Sequence, residues 1–285
     1  MERSDFRFFE RLRVRWAEID AQKIVFNGHY LMYFDTAVAG YWRALAVPYA
    51  ETMQSLDGDL FVRKAELEYL DSARYDDVLD IGLRCARVGN SSFAFVGGAF
   101  RQDKLLVSCT LTYVFADAEG TASRPVPQAL RDLFDRYESG QPMVDVRVGS
   151  WADLGEQARA IRSAVFIDEQ KIPADMEWDE GDEGAVHAIA SNRLGRALAT
   201  GRMLEHVPGV AKIGRMAVVA GARHNGVGRA VLDALLDAAR ARGDRECVLH
   251  AQMAAAPFYE RAGFTRRGPA FDEAGIAHVE MLRAL

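Results

Sequence analysis

The sequence predicts an α+β protein of two domains. This prediction rests on chain length, on two different patterns of apolar residues and on one break between them. A chain of 285 residues divides more easily into two cores of ordinary size than it folds around one. Residues 1–139 show one long helical pattern and then strand-like alternation, whereas residues 140–285 mix helices and strands. The break, from Glu138 to Pro142, is a Ser, Gly and Pro cluster typical of a linker.

The composition excludes several classes of protein. A net charge of −6 and a pI near 5.6 argue against a broad nucleic-acid-binding surface. Cys85, Cys109 and Cys247 lie far apart in apolar runs, which favours buried free thiols in a reducing compartment over a metal site. The charged N-terminus and the absence of a long apolar run predict a cytoplasmic protein without a membrane span.

In the first domain, a strand over residues 8–16 leads through a loop to a helix over residues 29–45. The apolar face of that helix is wide, so we expect it to be buried on most sides. The period-two alternation that follows predicts an antiparallel sheet that wraps the helix. The predicted strands of this sheet are 61–70, 78–89, 91–101 and 104–116.

The second domain is predicted as a mixed α/β fold. A helix over 153–167 and an amphipathic helix from Arg229 to Arg242 alternate with strand-like runs. The strands are predicted near 185–190 and 196–204, from Lys212 to Val219, from Glu246 to His250, and in two closing runs after a short helix.

Asp20 stands in the loop directly before the long helix, and Asn27, Gly28 and His29 stand at the start of that helix. The N-terminus of a helix offers unbonded N–H groups and partial positive charge. Such groups can polarise a thioester carbonyl while a carboxylate activates water or attacks directly. The spacing alone equally fits a capping or loop aspartate.

The segment from Asp20 to Tyr30 resembles the D-x-x-G-x-V-x-x-x-x-Y signature of hotdog-fold acyl-CoA thioesterases related to 4-hydroxybenzoyl-CoA thioesterase. The resemblance covers residues 6–135. It implies that Asp20 is the catalytic carboxylate, as base or nucleophile, and that the N–H of Asn27 polarises the thioester. His29 is either a substrate contact or a half-buried histidine bonded to the backbone. The resemblance also implies a homodimer or homotetramer formed through the sheets. The signature glycine is Lys23 here, which predicts an altered loop.

In the second domain, Arg223 to Arg229 form an R-x-x-G-x-G loop between a strand and a helix. Glycines and a helix N-terminus suit a pyrophosphate, and neither a Walker loop nor a full G-x-G-x-x-G pattern is present. The loop resembles that of GNAT acetyltransferases, which implies binding of acetyl-CoA or coenzyme A. The residues implied in this binding are Met216, Ala217, Val218, Arg223, Asn225, Gly226, Val227, Gly228 and Arg229.

The segment from Ala256 to Phe264 resembles the second GNAT signature, FY-x-x-x-GF. It implies that Tyr259 donates a proton to the leaving thiolate. Residues 161–190 resemble the ElaA-like branch, and the GNAT resemblance covers 144–285. The acidic cluster there is either a solvated loop or a pocket for a cationic amine, in which Glu169, Glu177 or His187 would assist deprotonation. It consists of Glu169, Glu177, Asp179, Glu180, Asp182 and Glu183.

Together the resemblances imply a bifunctional enzyme that uses coenzyme A, with a hotdog thioesterase at 1–139 and a GNAT N-acetyltransferase at 140–285. One alternative is an acetyltransferase carried on a non-catalytic hotdog module that binds acyl-CoA or forms dimers. Another is acyl-homoserine-lactone synthesis, since those enzymes share the GNAT core, although the paired GNAT signatures favour N-acetyl transfer. Both the acyl chain and the amine acceptor stay open.

Overall fold

The computed structural model describes residues 1–285 and divides the chain into two compact units. The first unit is Met1–Met143 and the second is Val144–Leu285. The division falls just after the Ser, Gly and Pro cluster that the sequence analysis interpreted as a linker. No helix in the structure combines the length and apolar character needed to cross a membrane.

The first unit is a five-stranded sheet in the order β1-β3-β4-β5-β2, and all of its pairings are antiparallel. Its strands are β1 (Phe8–Arg13), β2 (Asp59–Tyr69), β3 (Val78–Val88), β4 (Ser92–Arg101) and β5 (Lys104–Ala116). Its helices are α1 (Asn27–Ala44), α2 (Tyr49–Ser55) and α3 (Gln128–Glu138).

The long helix α1 lies against this sheet, as a hotdog fold requires. Phe34 on α1 is fully buried over Gly97 of β4, where an added Cβ would come within 2.8 Å of the ring. Tyr41 on the same helix packs edge-on against Phe95 of β4, with ring centroids 5.0 Å apart. Phe134 of α3 contacts both of these rings, with centroids 6.4 Å from Tyr41 and 6.0 Å from Phe95. The predicted hotdog architecture is therefore confirmed.

The second unit is a seven-stranded mixed sheet in the order β11-β12-β10-β9-β8-β7-β6. Its strands are β6 (Val144–Gly149), β7 (Val186–Asn192), β8 (Ala197–Val207), β9 (Val210–Val218), β10 (Glu246–Gln252), β11 (Thr265–Glu273) and β12 (Ile276–Ala284). Its helices are α4 (Trp151–Arg162), α5 (Ala174–Glu177), α6 (Val227–Arg242) and α7 (Ala256–Arg261). The predicted mixed GNAT architecture is likewise confirmed.

The strands β9 and β10 are parallel neighbours that separate along their length. They pair only from Val210 to Lys212 on β9, against Glu246 to Val248 on β10. Yet β9 continues to Val218 and β10 continues to Gln252. The sheet therefore opens between two strands at its centre, and the opening leads into a cavity.

Several elements differ from the sequence prediction, among them the short helix α5 in the acidic segment. The first strand ends at Arg13, because a 3₁₀ turn at Trp16–Glu18 takes up the apolar residues after it. The helix predicted over 153–167 is regular only to Arg162 and continues as a π-helical turn, Ser163–Glu169. The short helix α2 was not predicted, since seven residues carry too little periodicity to be recognised.

Candidate functional sites

Asp20 lies in a narrow hairpin that runs straight into α1. The Asp20 N–H donates to the Ile24 carbonyl at 2.9 Å, and the Phe26 N–H donates to the Glu18 carbonyl at 2.9 Å. The Asp20 carboxylate accepts the Gln22 N–H at 2.8 Å through Oδ1, and the residue is half-buried. The hairpin thus holds Asp20 opposite the arm that begins the helix, with Oδ1 engaged in the turn.

Lys23 replaces the glycine of the thioesterase signature without opening this turn. Its φ of 62° lies in the left-handed region, which glycine adopts freely and lysine only at a cost. The Lys23 N–H still donates to the Asp20 carbonyl at 2.9 Å. The loop is therefore altered in one side chain, as the sequence predicted, but the tight backbone turn is kept.

Glu18 supports the hairpin from inside the fold. This buried carboxylate accepts the Arg15 N–H at 2.7 Å and the Tyr33 hydroxyl at 2.7 Å. Burial acts to raise the pKa of Glu18, but these hydrogen bonds and the Arg15 guanidinium together hold that pKa below its usual value. Glu18 could not be predicted from the sequence, because one acidic residue before a helix carries no sign of burial.

The first turn of α1 is exposed at Asn27 and Gly28, and His29 is half-buried beside Phe26. No side chain caps this helix start, so its first N–H groups are oriented outwards. The Tyr69 hydroxyl of β2 donates to the Asn27 carbonyl at 3.1 Å. The structure therefore places the predicted polarising N–H on an accessible helix terminus that follows the Asp20 hairpin.

In the second unit, the R-x-x-G-x-G loop ends where α6 begins. Gly226 precedes the helix with a φ of 85°, a conformation that suits glycine. Gly228 lies in the first turn, where an added Cβ would approach Val218 Cγ2 to 3.0 Å. The glycines thus allow a left-handed turn and close packing of α6 on β9, which leaves helix N–H groups available to an anion.

The charged residues of this loop are engaged by carboxylates. Arg223 donates to both Glu169 oxygens, at 2.8 and 2.6 Å, and to the Val218 carbonyl at 3.0 Å. The same contact lowers the pKa of Glu169. Arg229 pairs with Asp233 one turn along α6, at 2.7 Å. An incoming pyrophosphate would compete with these carboxylates for the two guanidinium groups.

A cavity of about 410 Å³ opens beside the point where β9 and β10 separate. Met216 of β9, Gln252 of β10 and Tyr259 of α7 line it together. Tyr259 is buried, and its ring packs edge-on against Phe258 and Phe264. Burial raises the pKa of the Tyr259 hydroxyl well above its usual value of 10.0, so the group keeps its proton at neutral pH.

Beside this cavity lies a buried ion-pair network, and Glu177, Asp179, Arg202 and Arg215 of that network line the cavity. Arg162 is its centre, with Nε 2.5 Å from Glu177 Oε1 and Nη1 2.7 Å from Asp182 Oδ1. Three arginines face three carboxylates, so the network is balanced in charge. Its members are Arg162, Arg202, Arg215, Glu177, Asp179 and Asp182.

The three residues predicted to assist an acceptor amine lie in different surroundings. Glu169 is paired with Arg223. Glu177 lines the cavity but is bound to Arg162, and burial raises its pKa against the effect of that arginine. His187 is buried beside Trp151 with Nε2 2.8 Å from the Asp182 carbonyl, and burial lowers its pKa. Of the three, only Glu177 lines the cavity.

The cavity is also lined by polar residues that the sequence analysis did not select. They come from β10, β11 and β12, and they are His250, Gln252, Glu273 and His278. The register pairs Gln252 with His278 across β10 and β12. The alternation of His250 with Gln252 was visible in the sequence. Only the antiparallel pairing of β10 with β12, however, shows that His278 lies beside Gln252.

Comparison with known proteins assigns both units to families. The family model described as "Acetyltransferase (GNAT) domain" matches residues 154–285, and "Thioesterase superfamily" matches residues 22–108. The uncharacterized N-acetyltransferase YjcF of Bacillus subtilis is 32% identical over 124 residues, which cover 43% of this chain and 87% of that protein. The chain belongs to the GNAT acetyltransferases and to the thioesterase superfamily.

Each unit also has its own relatives. The thioesterase unit is similar to a protein of Aquifex aeolicus named "Putative esterase", 31% identical over 96 residues, which cover 34% of this chain and 74% of that protein. The GNAT unit is similar to an acyl-CoA N-acyltransferase structure from Pseudomonas aeruginosa. That likeness has 32% identity and a TM-score of 0.45, and covers 50% of this chain and 99% of the other. Both families use coenzyme A thioesters.

Proposed function

We propose that the chain is a bifunctional enzyme: its first unit hydrolyses acyl-CoA thioesters, and its second transfers acetyl from acetyl-CoA to an amine. One observation carries the acetyl-transfer part. The sheet opens between β9 and β10 beside a buried Tyr259, and the Gly226 loop follows the end of β9. Transfer from a coenzyme A thioester requires three elements: an opening for the donor between two strands, an anion site for its pyrophosphate, and a proton donor for the departing thiolate.

In the acetyl-transfer site, the pyrophosphate of the donor would bind the N–H groups at the start of α6. The pantetheine arm would then follow the free edge of β9 from Val218 towards Met216, which directs the thioester into the cavity. The Tyr259 hydroxyl is protonated at neutral pH, and burial raises its pKa further, so a proton is present to donate to the departing thiolate. The ion-pair network would hold Glu177 and Asp179 beside the cavity that they line.

In the thioesterase site, the N–H groups at Asn27 and Gly28 would polarise the thioester carbonyl, and Asp20 would activate water or attack directly. His29, half-buried at the same helix start, would contact the substrate. The tight turn at Lys23 supports this proposal, because it preserves the hairpin that holds Asp20 opposite the start of α1.

We further propose that the thioesterase unit pairs with a second copy through β2. This strand is the edge of its sheet and is exposed over most of its length. It carries large apolar side chains, with Val62 55% and Tyr69 51% exposed. Exposed apolar edges of this kind tend to pair with another chain. A Val62→Glu/Tyr69→Glu double variant should sediment as a smaller species than the parent, and an unchanged sedimentation coefficient would contradict pairing through β2.

The alternative is a GNAT acetyltransferase on a thioesterase-like unit that only binds acyl-CoA or forms dimers. One observation favours it: Oδ1 of Asp20 is engaged by the Gln22 N–H, as in a structural turn. A thioester hydrolase needs the second oxygen free to act, whereas a structural aspartate does not.

Thiol release from a panel of acyl-CoAs, without and then with primary amines, distinguishes these functions. The proteins are the parent, Asp20→Asn and Tyr259→Phe, with Asp103→Asn as a control because that carboxylate is 98% exposed. We expect Asp20→Asn to lower only the amine-independent rate, and Tyr259→Phe only the amine-dependent rate, each by about 10²- to 10⁴-fold. If the parent shows no amine-independent release, the first unit is a binding or dimerisation module.

A further inference from the structure

The polar wall of the cavity contains two histidines whose ring nitrogens have different partners. His250 of β10 and His278 of β12 both line the cavity, as does Glu273 at the end of β11. The register places Phe271 and Gln252 on either side of His278, on the neighbouring strands. One face of β10, β11 and β12 therefore presents all the histidine side chains that border this cavity.

The His278 ring is fixed in one tautomer. It is 9% exposed and stacks on Phe271, with ring centroids 6.0 Å apart and planes 24° apart. Its Nδ1 lies 2.8 Å from the Ile276 carbonyl oxygen. Because a carbonyl oxygen can only accept, Nδ1 carries the hydrogen, and in the neutral ring Nε2 keeps its lone pair.

The other candidates for a proton acceptor are engaged differently. His250 has Nδ1 3.3 Å from a Glu273 oxygen and Nε2 4.0 Å from a Glu280 oxygen, so each of its nitrogens faces a carboxylate. Glu177 is bound to Arg162. His278 alone among the histidines of the cavity combines a fixed donor at Nδ1 with an acceptor nitrogen that has no carboxylate beside it.

We propose that His278 is the general base that deprotonates the acceptor amine, an inference that rests on the acetyl transfer proposed above. Nε2 takes a proton from the acceptor ammonium, and the neutral amine attacks the acetyl carbonyl. A C–N bond forms and the C–S bond breaks, while the thiolate takes the Tyr259 proton. After the tyrosinate regains a proton from the amide nitrogen, the products are an N-acetylated amine, coenzyme A as its thiol, and one proton on His278.

The charged and titratable groups around His278 determine how pH acts on this step. They come from every element that packs against the ring or faces it across the cavity. They are His250, Glu273, Glu280, Glu177, Asp179, Arg202, Arg215, Lys212 and Tyr259. Protonation of Nε2 at low pH removes the base, so kcat for an ammonium acceptor should fall on the acid side.

His278→Asn tests the proposal, because the asparagine amide can still donate to the Ile276 carbonyl while the base at Nε2 is lost. With spermidine, L-lysine or glucosamine as acceptor, we expect kcat to fall by about 10²- to 10⁴-fold and the acid limb of the pH profile to disappear. Hydroxylamine is neutral at pH 7 and needs no base, so the same variant should acetylate it within about threefold of the parent rate. His206→Asn, at an exposed site outside the cavity, is the matched control.

Five outcomes would decide against His278 as the base. If the parent and His278→Asn acetylate an ammonium acceptor at the same rate, the role of His278 is refuted and the proposed acetyl transfer is not. Loss of the acid limb in His250→Asn, and not in His278→Asn, would assign the base to His250. An equal loss with hydroxylamine and with ammonium acceptors would show a positioning role. No transfer by the parent to any acceptor would refute acetyl transfer and the base together. A ¹⁵N spectrum of the parent that shows the Nε2–H tautomer of His278 would also overturn the proposal.

Discussion

The two units each use a buried carboxylate to hold the loop beside their candidate site, but they neutralise it in different ways. In the first unit Glu18 is bound by Arg15, whose side chain is 73% exposed, and by one tyrosine hydroxyl. In the second unit Glu177 and Asp182 are bound by Arg162, whose side chain is 1% exposed. Because the side chains of Arg162, Glu177 and Asp182 are almost completely shielded from water, loss of one of these partners should cost far more there.

The largest expected effect is on the buried network. Arg162→Met removes the one cation that binds both Glu177 and Asp182, and should lower the free energy of unfolding by about 3–5 kcal/mol. Each carboxylate then keeps one arginine, Arg215 beside Glu177 and Arg202 beside Asp182. Amide hydrogen exchange should accelerate in peptides from residues 144–285. Arg240→Met is the control, since its partner Asp237 is exposed and surface pairs contribute about 0–1 kcal/mol. If both variants lose the same small amount, the network does not stabilise the unit.

An intermediate effect is expected at Glu18. Glu18→Gln should cost about 1–3 kcal/mol at pH 7, because the Arg15 and Tyr33 hydrogen bonds lose their charged acceptor. The folded pKa of Glu18 is lowered, so this stabilisation is complete above the ordinary pKa near 4.5 and is lost as pH falls through the folded pKa. Urea unfolding from pH 7 to pH 3 should therefore bring parent and variant together at the acid end.

Glu119→Gln is the matched control for Glu18, because that carboxylate is exposed in the turn after β5. Its effect should stay small over the whole pH range. A Glu18→Gln deficit that grows as the pH falls would mean that Glu18 is stabilised as the neutral acid, contrary to its hydrogen bonds.

The smallest effect is expected at Lys23. Lys23→Gly relieves the left-handed strain but adds freedom to the unfolded chain, so it should raise stability by at most about 1 kcal/mol. Gln22→Gly, in the same turn but without a positive φ, should lower stability instead. Thermal unfolding measures both, and equal losses in the two variants would show that Lys23 is not strained.

Much of the fold could be predicted from the sequence, because its apolar patterns are long. The wide apolar face of α1 and the alternation of β5 indicated a helix lying on an antiparallel sheet, and the glycines around the start of α6 indicated a turn into a helix. What could not be predicted depends on pairing between distant residues. Nothing near Arg162 in the sequence shows that Glu177 and Asp182 neutralise it. The positions of His278 and Glu273 likewise depend on the register of β12 with its neighbours.

If the proposed donor binds where β9 and β10 separate, the stability of the second unit will depend on that ligand. Beyond Lys212 and Val248 the two strands no longer bond to each other, although both lie inside the sheet. A donor whose amide groups bond to these edges binds only the folded chain. At a ligand concentration one hundred times Kd, such binding adds about 2.7 kcal/mol to the stability of the unit. The lifetime of this unit in a cell would then follow the supply of coenzyme A, through mass action rather than through a regulatory site.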